Sequence, residues 1–386
     1  MQQNPQSVPA QMFQTVDANE QKYIDFLCQL CAYEARAYDK QVLNRMVDYI
    51  TEFARIEGFS VSRTKMTSCG DFLTIDLNSG EEKGCVLLAH MDTVHEKGVF
   101  GENPVTRLED RIIAPGAIDC KSGIAIALLT MKALQQHGYT KHLRLLLTSD
   151  EEITNVLGGQ EEMEYFRQSC AGFPCAINCE TSEKDEVVVS RKGIIKCRID
   201  ITGVGGHSGI HYFECKNPIA EAAHKILALE SQSQPGGITF SCNMIQGGSL
   251  PNIIPGSCSV TVDIRVPRHA DMPAAEAALR QVANTSFIPG TSAAVTILSK
   301  RPPMEKTPET MALFGALLSV CRRYGLGSLT PVESGGGSDS CYTQAAGIPS
   351  ICGMGGCGEF CHTNAEYVLT KSIPLRSKIL SAFLAE

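Results

Sequence analysis

The amino-acid sequence predicts an α/β domain with a largely parallel sheet flanked by helices, interrupted by a smaller α+β domain of ferredoxin-like order. Three observations predict it. Short apolar runs alternate with helical periodicity through the first half of the chain, the pattern of a sheet covered on both faces. From Gly193 the order changes to βαββαβ, the split unit of ferredoxin-like folds. The chain has 386 residues, 43% of them hydrophobic, enough for two separate cores.

Each element follows from its own stretch. Residues 17–58 carry helical periodicity with a break near Tyr38. FSVSRTK (59–65) and FLTIDL (72–77) read as strands, and CVLLAH (85–90) is a short apolar run of the kind buried on both faces. SGIAIALLTMKALQQH (122–137) is helical, and Gly138 suits its C-cap. HLRLLLTS (142–149) and CAINCE (175–180) are two further buried strands. The inserted unit then runs strand (194–203), helix (217–232), strand (237–245), strand (257–266), helix (271–286), strand (292–300). RPPMEKTP (301–308) reads as a linker back, followed by a helix over 309–324, glycine-rich loops and a last helix. The expected division is 1–194 and 303–386 for the main domain and 195–302 for the insertion, with hinges near 192–195 and 300–304.

Composition excludes several functions. The formal net charge is −8, so no broad attraction to nucleic acid or anionic lipid is expected. The first residues, MQQNPQSVPAQMFQTVD, lack a basic start followed by an apolar run and do not read as a signal peptide. No stretch approaches the length of a membrane-spanning helix. The 17 cysteines are odd in number and scattered, many in apolar strand-like runs such as Cys85, Cys175 and Cys197. They read as buried free thiols of a reducing cytoplasm.

The chemistry gathers where strands end, which is where ligands collect in open α/β sheets. Asp150, Glu151 and Glu152 follow the strand 142–149 without a break, and carboxylates in a row at the edge of a core repel one another unless something positive sits there. His90 and Asp92 follow another strand, two residues apart and so pointing the same way in extended chain. Taken singly this pair reads as a solvated loop. Asp119 precedes a helix and alone reads as an N-cap. Glu180 ends the strand AINCE, and His362 lies in FCHTNAEY, where it is as readily a turn histidine. Together the five share one chemistry, imidazole and carboxylate without thiolate, which suits zinc, cobalt or manganese. One acid too many for a single ion points to a pair of divalent ions, which would neutralise the row of acids.

HMDTV (90–94), GAIDCKSG (116–123), SDEE (149–152), GGHSG (205–209), GGGSD (335–339) and CHTNAE (361–366) resemble, in order, the motifs of the co-catalytic zinc exopeptidases and deacylases. That family includes carboxypeptidase G, aminoacylase, succinyl-diaminopimelate desuccinylase and the bacterial tripeptidases. The resemblance covers nearly the whole chain from about Asp17, the insertion included, and is specific for the family rather than the substrate. It implies two ions per chain, zinc before cobalt or manganese. His90, Asp119 and Glu152 would form one set and Asp119, Glu180 and His362 the other, with Asp119 bridging. It implies that Asp92 orients His90, that Glu151 is the general base, and that His207 stabilises the oxyanion, often across a homodimer formed by the inserted lid domain. Arg265 resembles the arginine that grips a substrate carboxylate, and Asn252 a substrate-contacting asparagine. The implied substrate is a short peptide or N-acyl amino acid with a free carboxylate.

Glutamate at position 180 goes with the family's carboxypeptidases and deacylases, whereas GGGSD and CHTNAE look closer to the tripeptidases. SGIHYFECKNP (208–218) departs from the family's proline-bearing run and leaves His211 unexplained. His95 reads as a loop residue, and Cys120 beside Asp119 as an oxidation-sensitive thiol.

Overall fold

The structure is a computed structural model and describes residues 7–386. Contacts divide the described residues into two compact units, residues 7–190, 306–334 and 338–386 forming one, and 191–305 with 335–337 the other.

The first unit is built on six strands: β1 (Ser60–Thr64), β2 (Phe72–Leu77), β3 (Lys83–His90), β4 (His142–Thr148), β5 (Ala176–Asn178) and, near the carboxyl end, Ser350–Ile351. They lie in the order β1-β2-β4-β3-β5 with Ser350–Ile351 last. The pairs β4–β3, β3–β5 and β5 with Ser350–Ile351 are parallel, whereas β1–β2 and β2–β4 are antiparallel. The uninterrupted apolar character of β3 has a direct cause. Cys85, Leu87 and Ala89 face one core, while Val86 and Leu88 face a second on the other side of the sheet, so both faces must be apolar.

Helices α1 (Ser7–Cys31), α2 (Lys40–Ile56) and α3 (Ser122–Gln136) pack on the first core, and the edge-on ring of Tyr165 in α4 (Gly159–Cys170) meets Phe72 on the second. The sequence reading had no helix at α4, whose twelve residues GQEEMEYFRQSC carry only a narrow apolar stripe. α3 is buried almost along its length, which explains its apolar composition.

In the second unit, β6 (Gly193–Thr202), β7 (Thr239–Gly247), β8 (Ser257–Val266) and β9 (Ser292–Arg301) form an antiparallel sheet in the order β7-β8-β6-β9. Helices α5 (Pro218–Glu230) and α6 (Met272–Asn284) cover one face. Strict alternation of buried and partly exposed residues along β8 is the mark of a sheet with one covered face. Residues 192–195 and 300–304 lie within this unit, near its junctions with the first. Ile194 and Ile195 pair with Arg301 and Lys300, and Arg191 and Met304 exchange backbone hydrogen bonds of 2.8 and 3.0 Å.

None of the 17 cysteines forms a disulfide. One Cys-x-x-Cys spacing does occur, at Cys28 and Cys31 near the end of α1. Burial pushes the Cys31 thiol up to about 12, the opposite of the low value a reactive dithiol needs. No helix of the described residues is long and apolar enough to cross a membrane.

Candidate metal centre

All five expected ligands lie in the first unit, at the carboxyl ends of its strands or in the loops beyond them. His90 is the last residue of β3. Glu151 and Glu152 start a short turn, Glu151–Ile153, just after β4. Glu180 lies two residues past β5. Asp119 sits in the turn Ala117–Lys121 that feeds α3, and His362 in the loop after Gly358–Glu359.

The Asp119 carboxylate stands between the two imidazoles. Its Oδ1 is 3.1 Å from His90 Nε2 and its Oδ2 is 3.3 Å from His362 Nε2. His90 Nε2 is also 3.3 Å from Glu180 Oε1, and His362 Nε2 is 3.3 Å from Glu152 Oε2. The direct contacts therefore group His90 with Glu180 and His362 with Glu152. This differs from the division drawn from the motifs, which put Glu152 with His90. Atoms of His90, Asp119 and Glu152 do fall within 4.8 Å of one another, but the shorter separations carry more weight because ligands of one ion crowd together. Two donor atoms each about 2.1 Å from a tetrahedral ion are about 3.4 Å apart. The spacings of 3.1–3.3 Å fit that edge, and the imidazole–carboxylate donor set suits a divalent ion.

Hydrogen bonds to Asp119 and Glu152 push the His362 imidazole up to about 11. Burial alone would lower the His90 imidazole, but the carboxylates of Glu180, Asp119 and Asp92 outweigh it and hold it well above the ordinary value. Burial, followed by the charge on Asp119, raises both Glu152 and Glu180. Asp119 goes the other way: burial would raise it, but hydrogen bonds from His362 and His90 keep it ionised well below the usual range.

Asp92, with no exposed surface, explains how the acidic row is carried. Its Oδ1 lies 3.3 Å from His90 Nδ1. The same carboxylate accepts the backbone N–H of Glu151 at 3.3 Å and of Glu152 at 3.1 Å. His90 Nδ1 also lies 3.1 Å from the Asp92 backbone carbonyl, so Asp92 orients the His90 ring through both its carbonyl and its carboxylate and pins the turn that bears two more acids. Asp150 turns away from that group and accepts the Gly158 N–H at 2.7 Å. There it meets buried Glu162, raised well above the ordinary value by burial and then by Asp150 and Asp339. Glu162 lies in the helix absent from the sequence reading, so nothing in the motifs marked it.

Cys120 Sγ accepts the His90 N–H at 3.2 Å and lies within 4.8 Å of ligand atoms of His90 and Glu180. Burial raises its thiol to about 12, so it is a neutral packing group in this arrangement. His95 lies in a loop, as expected, but it is buried rather than solvated. It is 5% exposed, with Nε2 2.5 Å from Glu366 Oε2. The signal was available in CHTNAE, which contains Glu366 four residues after His362.

His207, Asn252 and Arg265 belong to the second unit. His207 pairs with Ile253, and Ser208 N–H donates to the Asn252 carbonyl at 3.0 Å, so His207 and Asn252 sit side by side on exposed chain. Arg265 makes a two-pronged pair with Asp263, at 2.6 and 3.0 Å, and donates from Nη1 to the Gly335 carbonyl at 3.1 Å. Those bonds occupy three of the five N–H groups of a guanidinium. His211 forms an exposed pair with Glu214, 3.0 Å.

A model of the family described as "Peptidase family M20/M25/M40" matches residues 86–386. Carboxypeptidase G2 of Pseudomonas sp. (strain RS-16) is 26% identical over 372 residues, 95% of this chain and 89% of that protein. Acetylornithine deacetylase of Vibrio cholerae is 28% identical over 243 residues, 59% of this chain and 61% of that one. A solved tripeptidase structure from Staphylococcus aureus superposes with a TM-score of 0.78 at 20% identity, covering 95% of this chain and 98% of that one. The likeness to that structure establishes a shared fold.

Proposed function

The chain belongs to peptidase family M20/M25/M40, and from that premise we propose that it is a two-metal exopeptidase. Its substrate would be a short peptide or N-acyl amino acid with a free carboxylate, cut at the C-terminal amide. The observation that carries this reading is Asp119, whose two oxygens face two separate imidazole–carboxylate pairs. His90, Asp119 and Glu180 would hold one ion and His362, Asp119 and Glu152 the other. Zinc is the first choice for this donor set, with cobalt and manganese next.

Bound ions supply Lewis acidity at the scissile carbonyl and make water acidic enough to be a nucleophile near neutral pH. The chain supplies the rest. Asp92 accepts from His90 Nδ1 and fixes the tautomer that presents Nε2. Glu151, beside the ligand Glu152 and 8% exposed, takes the proton of the attacking water and hands it to the departing amine. His207 donates to the developing oxyanion, from the partner chain of a homodimer formed through the second unit. The Arg265 N–H groups outside its pair with Asp263 receive the substrate carboxylate, with Asn252 alongside His207. A reducing, cytoplasmic setting suits a chain whose cysteines form no disulfide.

Two observations favour carboxypeptidase over tripeptidase or deacylase: glutamate at position 180 and the near full-length match to carboxypeptidase G2. A metal-binding but inactive relative would need a broken ligand set or a missing base, and His90, Asp119, Glu152, Glu180, His362 and Glu151 are all present. The deciding experiment is a screen of dipeptides, tripeptides and N-acyl amino acids with zinc- or cobalt-loaded protein. Release of the C-terminal residue is expected. Release of only N-terminal residues from tripeptides would replace this reading by the aminopeptidase one.

A further inference from the structure

We propose that Glu366, gripped by His95, is the positioning residue that sets the bridging carboxylate of Asp119 between its two imidazoles. The inference rests on the two-metal reading above.

Glu366 is 1% exposed, and a carboxylate that far from water is costly unless its acceptor sites are filled. They are filled by one short piece of chain. Oε1 accepts the backbone N–H of Ile118 at 3.0 Å and of Asp119 at 3.2 Å. Oε2 accepts the Gly116 N–H at 3.2 Å and faces His95 Nε2 at 2.5 Å. Three N–H groups of the turn that carries Asp119 thus converge on one side chain. Convergence of that kind forms an anion cradle, occupied here by the protein's own carboxylate.

The turn has no slack. Gly116 has φ +70°, and a Cβ there would meet the Asp119 carbonyl oxygen and Lys121 Cε, each at 3.2 Å. Buried Lys121 ties the preceding carbonyl, Pro115 O, at 3.0 Å. The backbone of Glu366 also ties to the segment that bears His362. Its N–H donates to Thr363 O at 3.1 Å, next to His362, whose φ is +64°. On the other side the His95 ring meets Phe100 edge-on, with centroids 4.9 Å apart, and His95 stands three residues beyond Asp92 on the segment that follows His90. One buried pair therefore links the segments that bear His90, Asp119 and His362. A turn needing only to be folded could have met its N–H groups with water or carbonyl oxygens; a charged acceptor shared with a histidine holds it in one place.

The test is zinc titration of metal-free protein against a competing chelator, for the wild type, Glu366→Gln, His95→Leu and His95→Gln, below the melting point of each. Amide exchange is followed at residues 116, 118 and 119 in the metal-free forms. Glutamine at 366 turns a donor toward either the 118–119 amides or Gly116 and His95, so those amides should lose protection. The weaker zinc affinity should fall about 10- to 100-fold, the usual cost of removing a partner that orients a ligand. His95→Leu should weaken it too, and His95→Gln, which still donates to Oε2, should restore it. If Glu366→Gln fails to fold, the two His95 variants carry the same comparison. Wild-type protein that binds two zinc ions, with variants that bind both as tightly, overturns the positioning role alone. Wild-type protein that takes up no second ion overturns the two-metal reading and this inference with it.

Discussion

At the scale of single residues, the site depends on groups whose charge is set by their neighbours. Glu151 stands one residue from the proposed ligand Glu152, yet its expected work is proton transfer. Glu151→Gln is nearly isosteric and removes only the base. We predict that kcat falls about 10²- to 10⁴-fold with KM and both metals retained, as measured by steady-state kinetics and metal analysis. A variant retaining more than a tenth of kcat would remove Glu151 from the role. The imidazoles make a second prediction. His362, raised to about 11 by Asp119 and Glu152, and His90, raised in the same direction, stabilise the metal-free fold when protonated. That stability is fully present below the unfolded histidine value of about 6.5 and is lost as pH rises toward the folded one. Metal-free protein should therefore lose melting temperature between pH 7 and 10 relative to the zinc-loaded form. His362 is about half exposed, so solvent screening keeps its share small. Parallel melting curves with and without chelator check this, and identical slopes would refute it.

At the scale of elements, α3 approaches the chain just past the end of β5 closely. Gly123, in the first turn of α3, has room for no side chain: a Cβ would stand 1.9 Å from the Cys179 carbonyl oxygen. Cys179 precedes the proposed ligand Glu180, and Asp119 lies four residues before Gly123. Gly123→Ala must push the helix off the strand. Overpacking of this kind costs about 1–3 kcal/mol. We predict a lower melting temperature and weaker zinc binding together, measured by calorimetry and chelator competition. Unchanged zinc affinity in a destabilised variant would show that the approach serves packing alone. The glycine is visible in GAIDCKSG; the carbonyl that demands it is 56 residues away in the chain and invisible there.

At the scale of the whole molecule, the proposed ligands and the proposed oxyanion donor belong to different units. If His207 serves the partner's site, mixing inactive Glu151→Gln with inactive His207→Ala protein should restore activity. Random exchange puts about half the dimers in the mixed form, each with one intact site, so about a quarter of wild-type activity should return. No recovery despite demonstrated subunit exchange would exclude action across chains. Arg265 offers a second check. Amidating the substrate carboxylate should cost roughly 10- to 150-fold in kcat/KM, the worth of a charge-assisted bond of about 1.5–3 kcal/mol, and Arg265→Ala should erase the difference between acid and amide. Equal cleavage of amides and free acids by the wild type would discard the carboxylate clamp.

Much of this architecture could be read from the order of residues. The runs CVLLAH and HLRLLLT announce strands covered on both faces, and the alternation in SCSVTVDIRV a strand covered on one, because periodicity is local to a segment. The five ligand candidates were legible for a related reason: acids and histidines at the ends of apolar runs stand out against the core they interrupt. Which imidazole faces which acid was not legible, since His90, Glu180 and His362 are brought together from segments far apart in the chain. Contacts between distant loops put Glu180 with His90 and Glu152 with His362. His95 and Glu366 teach the same point from the other side. Each is an ordinary polar residue in its own stretch, and only burial against each other and against the turn of Asp119 makes them a pair, because burial and hydrogen-bond geometry belong to the folded chain.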